Sequence, residues 1–137
     1  VQDDEGIPKD AVRSFQIAEK ILRRAEDAGI PRQDVIIDCL VFSVGSDTSS
    51  GSQVLEAIRR VRGELGLNVT LGLSNISFGL PDRDLINGAF AAMAVLAGAG
   101  CLIVDVEKVR PCVLAADLVA GKDSHARRYL ADYRRRK

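Results

Sequence analysis

The chain has 137 residues, 47% hydrophobic and 28% charged, with 19 basic against 19 acidic side chains and a formal net charge of zero. That length suits one domain of common size, and the composition is that of a soluble globular chain rather than a disordered one. A balanced charge argues against a nucleic-acid or polybasic membrane binder, because neutralising phosphates takes a basic surplus, so no nucleic acid and no membrane is expected as a partner.

The first segment with a clear period is Asp10 to Gly29, where Phe15, Ala18, Leu22 and Ala25 fall on one helical face with Ile21 beside them. Asp10 can cap its start, Gly29 can take the left-handed position after its end, and Pro31 prevents continuation. Asp34 to Phe42, "DVIIDCLVF", is a nearly continuous apolar run without polar alternation. Such runs are typical of parallel strands covered on both faces. A Gly/Ser-rich loop, "SVGSDTSSGS", leads to a helix over Gln53–Gly66 with Val54, Leu55, Ile58, Val61 and Leu65 as its apolar stripe. "NVTLGLSN" reads as the second strand, "DRDLINGAFAAMAVLAGAG" as an alanine-rich third helix, and "CLIVDV" as a short third strand. "EKVRPCVLAADLVAG" reads as a fourth helix in which Pro111 is tolerable only within the first turn. A last helix starts near Ser124 with Asp123 as its cap, and its basic end suits the negative pole of the helix dipole.

The order α-β-α-β-α-β-α-α implies right-handed crossovers and a parallel sheet. It fits an open doubly wound sheet or part of a (β/α)8 barrel. A complete barrel takes about 250 residues and eight strands, so it is excluded by count. Cys39, Cys101 and Cys112 form no C-x-x-C pair, and with one histidine a protein-bound metal is not expected. Scattered in apolar runs, they read as small buried hydrophobes in a reducing compartment, which points to the cytoplasm. No charged and apolar leader opens the chain, and a start at Val1 fits a processed product or a fragment.

In either parallel architecture the functional residues gather at the C-terminal ends of the strands. That rule selects Asp38, the pair Ser74 and Asn75, and Asp105. A carboxylate inside "VIIDCLVF" is unfavourable unless it is paired or used. Asp38 could instead bond amides of the next loop, Asn75 could brace its own loop, and Asp105 could cap the fourth helix. "GSDTSSGS" lacks the Lys-Ser/Thr ending of a P-loop, and no G-x-S-x-G elbow occurs. His125, in an Arg-rich terminal helix, reads as a surface residue. Arg83 falls on the first turn of the third helix, above the strand ends, a reasonable place to contact a ligand.

Residues 71–87, "LGLSNISFGLPDRDLIN", resemble the strand-loop-helix of the pterin-binding domain in methyltetrahydrofolate-dependent, corrinoid-linked methyltransferases. That family includes the methyltetrahydrofolate:corrinoid/iron–sulfur protein methyltransferases and the folate module of cobalamin-dependent methionine synthase. "DEGIPKD", "IIDCLVFSVGSD" and "GKDSHARRYLADYR" resemble the same family, so the similarity spans almost the whole chain. Dihydropteroate synthases are more distant relatives with the same pterin pocket.

The resemblance implies the C-terminal half of a (β/α)8 TIM-type barrel, with about three parallel strands and flanking helices, and one partial pterin-binding domain over residues 1–137. It implies methyltetrahydrofolate or tetrahydrofolate as substrate and a corrinoid (cobalamin) carried by a partner protein or domain. A homodimer or a complementing N-terminal half-barrel would complete the fold. By the same resemblance Asp38 grips the 2-amino-pyrimidinone edge of the pterin. Asn75 is the catalytic residue, meeting N5, while Ser74, Phe78, Arg83 and Asp105 line the pocket. The alternatives are a catalytically incomplete fragment or subunit that needs a partner chain, and a dihydropteroate-synthase-like enzyme. The chain departs from the family at Cys39, where proline is usual, and at Phe78, where some members carry glutamine. The earlier strands that also supply pterin contacts are absent.

Overall fold

A computed structural model describes residues 1–137. The elements are α1 (Ala11–Asp27), β1 (Ile36–Asp38), α2 (Ser50–Glu64), β2 (Asn68–Gly72), α3 (Arg83–Ala97), β3 (Cys101–Ile103), α4 (Val106–Val119) and α5 (Arg127–Arg135), with 3-10 turns at Arg32–Asp34, Leu73–Ser77 and Ser124–Ala126. The fold is α/β, and the three strands form one parallel sheet in the order β1-β2-β3.

Local signals act much as their chemistry dictates. The Asp10 carboxylate accepts from the Arg13 amide at 2.8 Å, and Gly29 ends α1 with φ of 79°. Other boundaries differ from expectation. β1 is confined to Ile36–Asp38 because Arg32–Asp34 already form a 3-10 turn and the chain leaves the sheet after Cys39. β2 ends at Gly72, not at Asn75, so the Ser74–Asn75 pair lies in the 3-10 turn beyond the strand. α2 starts at Ser50, three residues before Gln53. Pro111 lies in the second turn of α4, since that helix already begins at Val106.

Strand register decides what each face of the sheet carries. Ile37 aligns with Val69, and Leu71 with Leu102. This face packs under the helices, joining Ala18, Leu22, Ile58, Val61, Ala91 and Ala94 in the main core. Side chains alternate across a strand, so Ile36, Asp38, Thr70, Gly72, Cys101 and Ile103 share the opposite face. That face has no helical cover. Ile36 is 58% exposed and Ile103 62%, where burial on both faces was expected. Cys39 is buried as expected, whereas Cys101 is exposed on the open face and Cys112 is half-buried. No helix is long and apolar enough to cross a membrane.

α3 and α4 approach closely at Gly88, where a Cβ would fall 2.7 Å from Cys112 Sγ. Buried carboxylates then fasten α5. Asp123 accepts from the Tyr129 and Arg128 amides at 3.0 and 3.1 Å. Asp132 accepts from Arg110 Nε at 2.7 Å and Arg136 Nε at 2.8 Å. The Tyr129 and Arg128 amides hold Asp123 below the ordinary carboxylate value of 3.8, and the Arg110 and Arg136 guanidinium groups do the same for Asp132. A carboxylate lowered on folding stabilises above its unfolded pKa, and that stabilisation is lost as pH falls through the folded value. We expect α5 to loosen from α4 below about pH 4. Hydrogen exchange of α5 amides against those of α2 measures this; unchanged relative protection well into the acid range would contradict it.

Candidate functional site

Asp38 is the last residue of β1 and stands on the open face of the sheet, level with Thr70. Its Oδ1 is shut off from solvent and has no hydrogen-bond partner. The alternative in which the next loop's amides satisfy this oxygen is therefore not what the structure shows. A buried carboxylate oxygen with nothing to accept from is costly in isolation. Cys39 follows, and its amide donates to Thr70 O at 3.0 Å, a bond that a proline there could not make. Burial pushes the Cys39 thiol up to about 12, so it stays a neutral, inert wall.

Asn75 sits in the 3-10 turn Leu73–Ser77 that continues from β2. It is exposed, and its Nδ2 folds back toward Gly72, lying 3.4 Å from where a Cβ on that glycine would be. Gly72 and Asp38 share the open face, so the amide and the carboxylate belong to one surface. Two loop bonds hold the loops after β1 and β2 together: Val44 N to Ile76 O at 3.0 Å and Ser43 Oγ to Phe78 O at 2.5 Å.

Behind the turn lies a polar network. Ser77 Oγ donates to Asn87 Oδ1 at 2.8 Å and accepts from Arg83 Nε at 3.0 Å. Arg83 Nη2 donates to Ser74 O at 2.8 Å. Arg83 enters α3 through Asp82, whose φ of 47° is left-handed, a conformation that costs a non-glycine residue about 1 kcal/mol. Its guanidinium carbon stands 6.0 Å from the centre of the Phe78 ring, which is 69% exposed.

Ser74, Arg83, Asn87 and Asp105 line a cleft of about 250 Å³ with Asp84 and Lys108, which pair at 3.1 Å. Asp105 caps α4, accepting from the Glu107 amide at 3.2 Å, as its second reading anticipated. The expected residues thus fall in two neighbouring groups. Asp38 and Asn75 face the open sheet surface, while Ser74, Arg83 and Asp105 line the cleft between the turn, α3 and α4. No cluster of three His, Cys, Asp or Glu side chains is placed to hold a metal ion.

Sequence reading passed over Ser77, Asn87 and Gly72. The signal was present for two of them: Arg83 and Asn87 are i and i+4, one helical face, and Ser77 is a lone hydroxyl between Ile76 and Phe78.

The chain is 26% identical over 140 residues to a methylcorrinoid:tetrahydrofolate methyltransferase of Eubacterium limosum, covering 98% of this chain and 51% of that protein. It is 31% identical over 117 residues to methionine synthase of Mycobacterium leprae and 33% identical over 117 residues to that of Mycobacterium tuberculosis, in each case 80% of this chain and 10% of the relative. The chain therefore spans about half the length of the first relative and a tenth of the other two. Residues 1–105 match the family described as pterin binding enzyme. That match takes in all three strands, with Asp38 at the end of β1, and the turn that carries Asn75, and the chain belongs to the pterin binding enzyme family.

Proposed function

We propose that this chain supplies the C-terminal part of a methyltetrahydrofolate site, from which the N5-methyl group passes to or from a corrinoid held by a partner protein or domain. The observation that carries the reading is the solvent-shielded, unpartnered Oδ1 of Asp38 on the open sheet face. The pyrimidinone edge of a pterin presents adjacent N–H donors, and a carboxylate can accept two at once. In this reading Asn75, whose exposed amide lies by Gly72 on the same face, meets the other part of the bicycle.

The chemistry needs both. When the N5–methyl bond breaks, its electron pair stays on N5 and takes up a proton from solvent, because an unprotonated amide-like anion is a poor leaving group. A side-chain amide that donates to N5 as charge develops there stabilises the transition state more than the ground state. The corrinoid supplies the methyl acceptor or donor.

The open face supports the further reading that the site is completed by other strands. Ile36 and Ile103 lie uncovered, and β1 and β3 are both edge strands. A sheet with an exposed apolar face and bare edges is a poor independent unit, and closure into a barrel would remove both defects. A second copy or an N-terminal half-barrel would supply the rest, making residues 1–137 a partial pterin-binding domain. Titration with 5-methyltetrahydrofolate, followed by transfer to free cob(I)alamin, tests the reading. We expect binding and methyl transfer from the assembled barrel and weaker or no binding from this segment alone. An assembled, folded protein that ignores the folate would refute it.

A further inference from the structure

The turn that bears Asn75 has no side-chain hydrogen bond at its N-cap, yet its polar groups are held from within by one hydroxyl. Ser77 is 0% exposed and Asn87 is 7% exposed, so their bond is shielded from water. A serine hydroxyl has one proton. Asn87 Oδ1 at 2.8 Å takes it in preference to Ser74 O at 3.3 Å. The lone pair that remains accepts from Arg83 Nε, and the second arm of the same guanidinium reaches Ser74 O. Arg83 thus closes a ring across the residues on either side of Asn75 and Ile76, and α3 provides both Arg83 and Asn87 from one face. On the outer side, Ser43 and Val44 bind the same turn.

We propose that Ser77 is a positioning residue for the Asn75 amide: its buried hydroxyl locks the turn through Arg83 and Asn87 so that the amide is held over Gly72 before substrate arrives. This rests on the reading of Asn75 as the group that meets N5, and it gives Arg83 a bracing role toward the turn. A reacting group held on a fixed turn needs no ordering at the moment of reaction, and a displacement of about 1 Å can cost about a hundredfold in rate.

The test uses the intact protein with Ser77→Ala, and Ser77→Cys if the alanine variant does not fold, because a thiol fills the space with a weak hydrogen-bonding group. Two readouts are taken: the order of the Asn75 side-chain amide by NMR in the ligand-free protein, and single-turnover methyl transfer from 5-methyltetrahydrofolate to free cob(I)alamin. We expect the amide to lose order, transfer to slow about tenfold or more, and the folate Kd to move by less than about threefold. In an Asn75→Ala background, Ser77→Ala should cost nothing further in rate, because the residue acts only through Asn75. Ser77→Thr, which keeps the hydroxyl, should restore the rate. An ordered Asn75 amide in Ser77→Ala would overturn the proposal whatever the activity, as would rate losses that multiply in the double variant. A wild-type protein that transfers no methyl group would overturn the underlying methyltransferase reading instead, and the NMR readout would still decide the positioning role.

Discussion

Asp38→Ala is expected to weaken 5-methyltetrahydrofolate binding by about 10- to 100-fold while making the ligand-free protein more stable. The first part follows from the bond lost. A hydrogen bond to a charged group contributes about 1.5–3 kcal/mol, which is about one to two powers of ten in Kd. The second part follows from what Asp38 does without ligand. Its Oδ1 is hidden from solvent with no donor facing it, and removing an unsatisfied buried acceptor relieves about 1 kcal/mol or more. For a chain of this size that is a rise in Tm of about 3 °C. A carboxylate kept for the fold gives the opposite signs: lower Tm and unchanged affinity. Calorimetric titration and thermal unfolding of the same two samples separate the cases, and a destabilised variant with wild-type affinity would remove Asp38 from the site.

The open face explains why Asp38 could be found in the sequence but its surroundings could not. "VIIDCLVF" is apolar enough for a strand covered on both sides, and the interrupting carboxylate is visible in it. No helix of the chain covers the second face, so Ile36 and Ile103 stand in solvent. The strand boundaries were also illegible, for a related reason. A parallel strand pairs only as far as its neighbours run, and β3, three residues long, limits the ladder at Gly72 and Ile103. Apolar character continues through Leu73 and Ile76, but those side chains bury in a 3-10 turn rather than in a sheet.

Helices were more legible because their signals are local. Asp10 and Gly29 bracket α1 by capping chemistry that needs no partner element. The start of α3 at Arg83 was legible as well, but the left-handed conformation of Asp82, which caps nothing with its side chain, was not. Arg83, the residue after that kink, donates to Ser77 Oγ. The departure at Cys39 has a visible consequence too. Its amide extends the β1–β2 ladder by one bond to Thr70, so the carboxylate before it is held on a paired strand end, not on a free one.

The second large effect is expected at Asn75. Asn75→Ala should slow single-turnover methyl transfer by about 10²- to 10³-fold, the usual loss when one donor aimed at developing charge is removed. The folate Kd should change by less than about threefold, because the amide is exposed and its interaction strengthens only as charge develops on N5. The split between rate and affinity is the point of the experiment. A residue that merely walls the pocket would raise Kd and leave the rate at saturation alone. A residue that braces the loop would lower Tm, yet the Asn75 side chain lies exposed against Gly72, and its loss leaves the Ser77 network and both Ser43 and Val44 bonds in place. Asn75→Ala should therefore keep its thermal stability within about 0.5 kcal/mol of the parent. Equal rates for the two proteins at saturating 5-methyltetrahydrofolate and cob(I)alamin would leave Asn75 without a catalytic role. The charge developing on N5 would then have to be stabilised by another group.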